Sequence, residues 1–597
     1  MALPIEDYAV LGDTGTAALV GKDGSIDWLC LPRFDSHACF AALLGGPEHG
    51  RWLLGPTDEK VECTRRYVGN SACLETTWTT DTGCVTIVDL MPIGDNRADI
   101  VRRIIGVEGS MTIRHEWIVR LGYGKIRPWV RRQDMHGMQV ITAVAGPDRL
   151  ILTGPRLPHA VDGMHADEFE VHAGEELTFS TTWVPSHHPL PEPLEFESRI
   201  DETISLSENW ADECTYDGPY REQVVRSLLT LRLLTHGGTG GIVAAATTSL
   251  PEEFGGERNW DYRFCWLRDA SLTLEALLES GYANEARLWR DWLLRAAAGD
   301  PKDLQIMYAV DGGRDLQERT LDHLPGYAGS TPVRIGNGAV EQRQTDVLGE
   351  VMIALEMARG VGAEETDDSW SLQRVLIEEL ARNWDQPDNG LWEIRGPLRK
   401  FTHSRVMVWV AFDRAIAAVE KHGLEGPVEK WRTLRDQVRD EVLEHGFDAE
   451  RNTFTQHYDT REVDASLLVL PMVRFIDGDD PKMVGTIKAV EEDLMRGGLL
   501  MRYRTSSGVD GLEGGEHPFL ACSFWLVSAY ALAGRMDDAN ALMDRLMGLA
   551  NDVGLLSEEY DVRENRMVGN FPQAFSHLAL VGAAMNIERA RETTPPS

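Results

Sequence analysis

FLACSFWLVSAYALA, residues 519–533, runs through four helical turns without one charged side chain. A helix that is apolar on every side has no face for water and must be enclosed all round. Two other runs share that property, VMVWVAF at 406–412 and AFSHLALVGAAM at 574–585. Between them lie helices of a different kind. The one beginning near Pro427 repeats Trp431, Leu434, Val438 and Val442 on one face, while Glu429, Arg432, Arg435 and Asp436 fall elsewhere. That is the pattern of a half-exposed helix.

Extended to the whole C-terminal part, the alternation predicts twelve helices. They begin near Tyr220, Asp269, Asn284, Asp346, Ser369, Thr402, Pro427, Asp464, Pro481, Pro518, Asp537 and Pro572. Enclosed helices alternating with amphipathic ones describe two concentric rings, an (α/α)6 barrel with the even helices inside. An ordinary helical array is the competing reading. Pro471 falls within the eighth helix and predicts a kink there.

Upstream of about residue 205 the periodicity is that of strands. The segments 61–68, 73–80, 84–91, 111–119, 138–145 and 169–184 are β-branched or aromatic and often alternating, with Gly, Asp and Pro between them. Many short strands without intervening helices predict an antiparallel β-sandwich. The Pro-rich stretch SHHPLPEPLEFE (186–197) opens a connection, so the expected organisation is sandwich 1–205, linker 206–218 and barrel 219–597.

Composition narrows the function. The formal charge is −36, from 59 basic and 95 acidic residues, which argues against nucleic acid and anionic membrane surfaces as partners. No apolar run reaches the ~18 residues of a membrane span. The opening MALPIEDYAVLGDTG shows no signal-peptide pattern, and a cytoplasmic protein is expected. The eight cysteines form no CxxC pair and read as buried thiols. A homodimer is the assembly to expect if the chain self-associates.

In an up-and-down ring, every segment entering an inner helix emerges at the same end. Those segments are RNWDYRFCWLRD (258–269), PVRIGNGAVEQRQTD (332–346), DNGLWEIRG (388–396), MRYRTSSGVDGLEGGEH (501–517) and the stretch 554–573. They supply Trp, Arg, carboxylates and amides, with no His/Cys spacing for a metal and no phosphate-binding or nucleophile-elbow motif. Flat aromatic faces beside fork-like hydrogen-bonding groups suit an uncharged polyhydroxylated ligand. Cleaving a glycosidic bond takes two carboxyl groups, and Glu393 with Glu558 or Glu559 are the candidates. Arg268–Asp269 also suits a plain helix start, since Asp favours that position. His403, His517 and His577 read as structural groups.

These segments resemble glycoside hydrolase family 15, which contains glucoamylases and bacterial trehalases. IEDYAVLGDTGTAALVGKDGSIDWLCLPRFDS (5–36) is similar to the opening of that family's trehalase-like N-terminal domain. ERNWDYRFCWLRDAS (257–271), PVRIGNGAVEQRQTD, GLWEIRG and GNFPQAFSHLAL (569–580) resemble its barrel signatures, in the family's order. The nearest likeness is to its actinobacterial trehalase branch.

The resemblance implies a β-sandwich followed by an (α/α)6 barrel, and inverting, exo-acting hydrolysis of α-glucosides. It implies Glu393 as general acid and Glu558 as general base, with Glu559 adjacent. It implies substrate contacts from Trp266, Arg268, Asp269, Trp392, Arg502 and Tyr503, with Gln344 and Asp346 in a further pocket-wall motif, and neither metal nor organic cofactor. Trehalose is the expected substrate. The alternatives are α-1,4- or α-1,6-linked gluco-oligosaccharides, a phosphorylase that keeps Glu393 and admits phosphate in place of Glu558, and a non-catalytic sugar sensor. The sandwich loops 33–46 and 119–133 are expected either to buttress the barrel or to lean over its rim.

Overall fold

The computed structural model describes residues 2–58, 60–94, 97–512 and 514–593; Glu513 of the loop quoted above lies outside the described residues. The N-terminal part is an antiparallel assembly organised by one long strand. We label β1 Arg51–Pro56, β2 Gly83–Leu90, β3 Ala98–Ile118, β4 Met164–His172 and β5 Glu176–Pro185. The first half of β3 pairs with β2 and β5, and its second half with β1 and β4. One strand therefore serves two sheets.

The crossing lies at the sequence GVEG (106–109). Gly109 has φ +59°, and a Cβ on it would stand 2.0 Å from the Thr82 carbonyl oxygen. Only glycine fits both requirements. The run 169–184, read as strand, is the hairpin of β4 and β5, turned at Gly174 with φ +85°.

Between the sheets Arg102 is fully buried. Its guanidinium donates to both Asp89 oxygens at 2.7 and 3.0 Å and to the carbonyls of Trp52 and Gly24, each at 2.8 Å. Asp89→Ala would strand that cation, and such a loss costs ~3–5 kcal/mol. The urea midpoint should fall accordingly, while Asp89→Leu combined with Arg102→Met should cost far less.

The stretch expected to end the sandwich and open the linker is a helix, α1 (Phe196–Ala211), which takes up the first residues of 206–218. Its inward face is spaced helically through Phe196, Ile200, Thr203, Ser207 and Trp210. The two small polar members disguise the stripe. Trp210 stacks on Tyr282 at 4.0 Å.

The barrel helices are α2 (Arg221–Leu233), α3 (Leu267–Glu279), α4 (Ala283–Ala297), α5 (Val347–Gly360), α6 (Asp367–Asn383), α7 (Thr402–His422), α8 (Val428–His445), α9 (Pro481–Leu494), α10 (Leu520–Leu532), α11 (Met536–Met547) and α12 (Ala574–Thr593). Each begins within two residues of its expected start. The eighth position differs. Instead of a kinked helix it holds a single 3-10 turn, Ala465–Val469, with the Asp464 side chain accepting from the Ser466 amide at 2.7 Å. The Pro471 ring excludes a continuing helix, and Arg474, at φ +65°, turns the chain away.

Around the axis, α3, α5, α7, this turn, α10 and α12 touch in sequence, and α12 returns to α3, so the inner ring closes. Burial follows the expected alternation. From Leu520 to Ala531 every residue of α10 is buried, whereas α8 buries only Trp431, Val438 and Val442. The cysteines are all free thiols, six of them buried. Among the described residues, no helix is long and apolar enough to cross a membrane.

Candidate active site

The segments entering the inner helices meet at one end of the barrel, around a cleft of about 710 Å³, its open mouth included. Trp266, Arg268, Asp269, Trp392, Glu393, Arg502 and Tyr503 line it. Glu393 sits on a tight loop closed by Asn389, whose side-chain amide donates to the Ile394 carbonyl at 2.8 Å. Its own φ is +57°, an uncommon left-handed conformation for a residue with a side chain. The Gln342 amide holds the Glu393 carbonyl at 3.0 Å. This brace turns the carboxyl into the cleft, where the Trp266 indole donates to Oε1 at 2.6 Å and the Arg268 guanidinium stands 3.7 Å away. Burial holds its pKa above the usual carboxylate value; Arg268 opposes that rise and Asp269 adds to it.

Arg268 is pinned from behind. It donates to the Leu391 carbonyl at 2.9 Å and to Gln344 at 3.2 Å, and it pairs with Asp269 at 3.1 Å. Gln344 and Asp346 therefore do not form the cleft wall. Gln344 is the layer behind Arg268, and Asp346 is buried at the start of α5 with no hydrogen bond to either carboxyl oxygen. Such a position supports Arg268 by charge rather than by touching a ligand.

Glu558 also lies one side chain back. It is fully buried, with Oε1 accepting from the Tyr262 hydroxyl at 2.7 Å and Oε2 from the Asn570 amide at 3.1 Å. Gly569 makes room for it, since a Cβ there would come within 2.6 Å of the carboxyl. Burial and the nearby Glu252 push its pKa up to about 8, against the pull of Arg502. Tyr262 lines the cleft and packs edge-on to Trp266, ring centres 5.5 Å apart. The Tyr262–Trp266 pair thus carries Glu558 at one end and Glu393 at the other.

The neighbouring Glu559 faces elsewhere. One oxygen accepts from the His517 amide at 2.9 Å, and the other is 3.5 Å from Arg502. Arg502 reaches Glu252 at 3.0 Å and Glu516 at 2.6 Å as well, and Arg258 pairs with Asp510 at 2.7 Å. Glu252, Glu516 and Glu559 bring oxygens within 4.8 Å of one another, a metal-like grouping among the described residues. The same Arg502 nitrogen contacts all three, so a guanidinium already supplies the positive charge there. Trp392 is fixed by donation to Asp464 at 2.9 Å and forms part of the bed under Arg502.

Several of these residues were not singled out by the sequence. Glu252 lies outside the quoted motifs, Tyr262 and Gln342 lie within them with nothing to mark their roles, and Asp464 read only as a helix start; contact with recognisable residues reveals them. Among the described residues, the sandwich contributes none to the cleft lining. Its loops instead brace the segments that do: Arg263 donates to the Ser36 carbonyl and to the Tyr123 hydroxyl, both at 2.9 Å, and the Trp28 indole donates to the Ala246 carbonyl at 2.8 Å.

The sequence pattern of the glycosyl hydrolases family 15 matches residues 218–585, from just before α2 into α12, with the loops that build the cleft. The chain belongs to that family. A second pattern, the trehalase-like N-terminal domain, matches residues 1–173. Among relatives of this family member, the trehalase of Mycobacterium tuberculosis is 36% identical over 100% of this chain and 91% of its own length. The trehalase of Thermoplasma acidophilum is 35% identical over 96% of this chain and 98% of its own. A bacterial glucoamylase bound to acarbose shares the fold, with a TM-score of 0.73 at 11% identity, covering 98% of this chain and 94% of that one.

Proposed function

We propose that this family 15 member hydrolyses trehalose to glucose with inversion, Glu393 acting as general acid and Glu558 as general base. The observation that supports this is the placement of two hydrogen-bonded carboxyls, Glu558 buried and Glu393 half-buried, at opposite ends of the Tyr262–Trp266 pair, beside the Arg268–Asp269 grip. Relatives named trehalase, 32–36% identical over nearly the whole chain, support the choice of substrate.

Glu393, protonated, hands its proton to the glycosidic oxygen as the C1–O bond breaks. A water on the opposite face of the sugar attacks C1 and gives its proton to ionised Glu558. Such a pair must stand ~6.5–9.5 Å apart to admit that water. The raised pKa of Glu393 favours the protonated form that a general acid requires. On Glu558, burial and Glu252 hold the pKa up at about 8, while Arg502 and the Tyr262 and Asn570 donors oppose that rise and favour the ionised form the base requires. The walls of indole and phenol rings suit the C–H faces of glucose, and Arg268, Asp269 and Arg502 suit its hydroxyls.

Incubation with trehalose, maltose and isomaltose, followed by proton NMR, tests both parts. One β- and one α-glucose per trehalose is the expected first product ratio. Release from maltose or isomaltose with trehalose untouched would move the substrate to α-linked gluco-oligosaccharides. A product wholly in the α form would remove the inverting mechanism.

A further inference from the structure

The barrel opens at its other end too. A chamber of about 1920 Å³, mouth included, runs up the axis between the inner helices. It exists because the eighth position is a single turn. Below Val469 the chain leaves through Met472, Val473 and Arg474, and no helix fills that part of the ring. Leu391 and Phe575 line both this chamber and the cleft, so one layer of side chains separates the two cavities.

The walls are largely apolar, but Glu275 and Glu350 project into them. Glu350 is 3% exposed and its carboxyl makes no hydrogen bond or ion pair among the described residues, and Oε1 of Glu275 is buried and unpartnered. A buried carboxyl without a partner is costly and needs a proton or a cation. Burial and Asp346 push Glu350 up to about 8 against the pull of Arg268, and Glu275 is raised by burial and by Glu350.

The positive side chains sit at the mouth, mostly engaged: Arg589 with Glu279 at 2.7 Å, Lys421 with Glu356 at 3.9 Å, and Arg414 with Asp413 and the Val473 carbonyl. Arg474 is exposed there, and Arg414 is the one cation whose field reaches Glu275. Among the residues lining it, the head of the chamber thus holds two carboxyls and no cation, and the one guanidinium whose field reaches Glu350, Arg268, lines the cleft on the other side of the dividing layer. The overall charge of −36 favours cations near the surface.

We propose that this chamber is a second ligand site, for a small organic cation such as a primary alkylammonium or short diamine. Its ammonium sits between Glu275 and Glu350 and its methylenes lie against Leu272, Ile353 and Met357. This inference does not depend on the identity of the sugar substrate.

Calorimetric titration of the full-length chain with putrescine tests it, with the diol of the same length as the uncharged control. Saturable binding is expected, unchanged in Glu393→Gln and weakened at least about tenfold in Glu350→Gln or Glu275→Gln, as loss of a charged partner implies. Gly582→Phe gives a second blocking variant that leaves the carboxyls alone, because a Cβ at Gly582 meets nothing within 4 Å. Circular dichroism verifies the fold of each variant. No binding of putrescine, equal binding of the diol, retention in both Glu→Gln variants, or loss in Glu393→Gln, which would place the cation in the cleft, overturns the proposal.

Discussion

Glu393→Gln is expected to lower kcat on trehalose by ~10²–10⁴-fold, the usual contribution of general acid–base catalysis, while KM changes little. The amide keeps the shape of the side chain and can still meet the Trp266 indole, now through its carbonyl oxygen, so the fold and the sugar grip persist. What disappears is the proton. Two further measurements separate an acid from a residue that merely holds the sugar. With α-glucosyl fluoride, whose leaving group needs no protonation, the variant should regain most of its rate. In addition, wild-type activity should fall as pH rises through the elevated pKa of Glu393, because only its protonated form donates. The variant's residual activity should lack that alkaline fall. An equal loss on both substrates would show that Glu393 positions the substrate rather than protonating the leaving oxygen.

Glu558→Gln should be comparably severe, again ~10²–10⁴-fold in kcat, but without rescue by the fluoride, since water must still be deprotonated. The informative companion is Glu559→Gln. Glu559 belongs to the Arg502 group and lies away from Tyr262. Its replacement disturbs the guanidinium that reaches into the cleft, so its effect should appear mainly in KM. The opposite pattern, with kcat surviving in Glu558→Gln and lost in Glu559→Gln, would transfer the base to Glu559. Tyr262→Phe removes the hydroxyl that donates to Glu558 at 2.7 Å. It should slow the reaction less than loss of the carboxyl itself, because the Asn570 amide still holds the other oxygen.

Where the sequence was informative, the reason is periodicity. Charge-free stretches such as 519–533 admit only an enclosed helix, and the ring that follows brings distant loops to one rim. Where it misled, two signals competed. At 464–476 the apolar residues read as helix, yet Pro471 stops the helix outright instead of bending it. At 196–211 a helical stripe was obscured because Thr203 and Ser207 occupy inward positions and because Pro-rich sequence precedes it. Gln344 and Asp346 lie in a recognisable motif, but a motif does not say how many layers separate a side chain from the ligand. Arg268 stands between Gln344 and the cleft.

By itself, then, the chain's order of residues determined the two-part architecture, the common rim and the short set of acids able to carry the chemistry, because helical and strand periods are local properties. Only the tertiary structure decided which acids face which partners. Glu558 turns toward Tyr262 and Glu559 toward Arg502, although they are neighbours, because side-chain environment depends on residues hundreds of positions away. The open base of the barrel is of the same origin. It follows from one helix that never forms, and its consequence, two carboxyls facing an unfilled axis, appears only once the other five inner helices close around it.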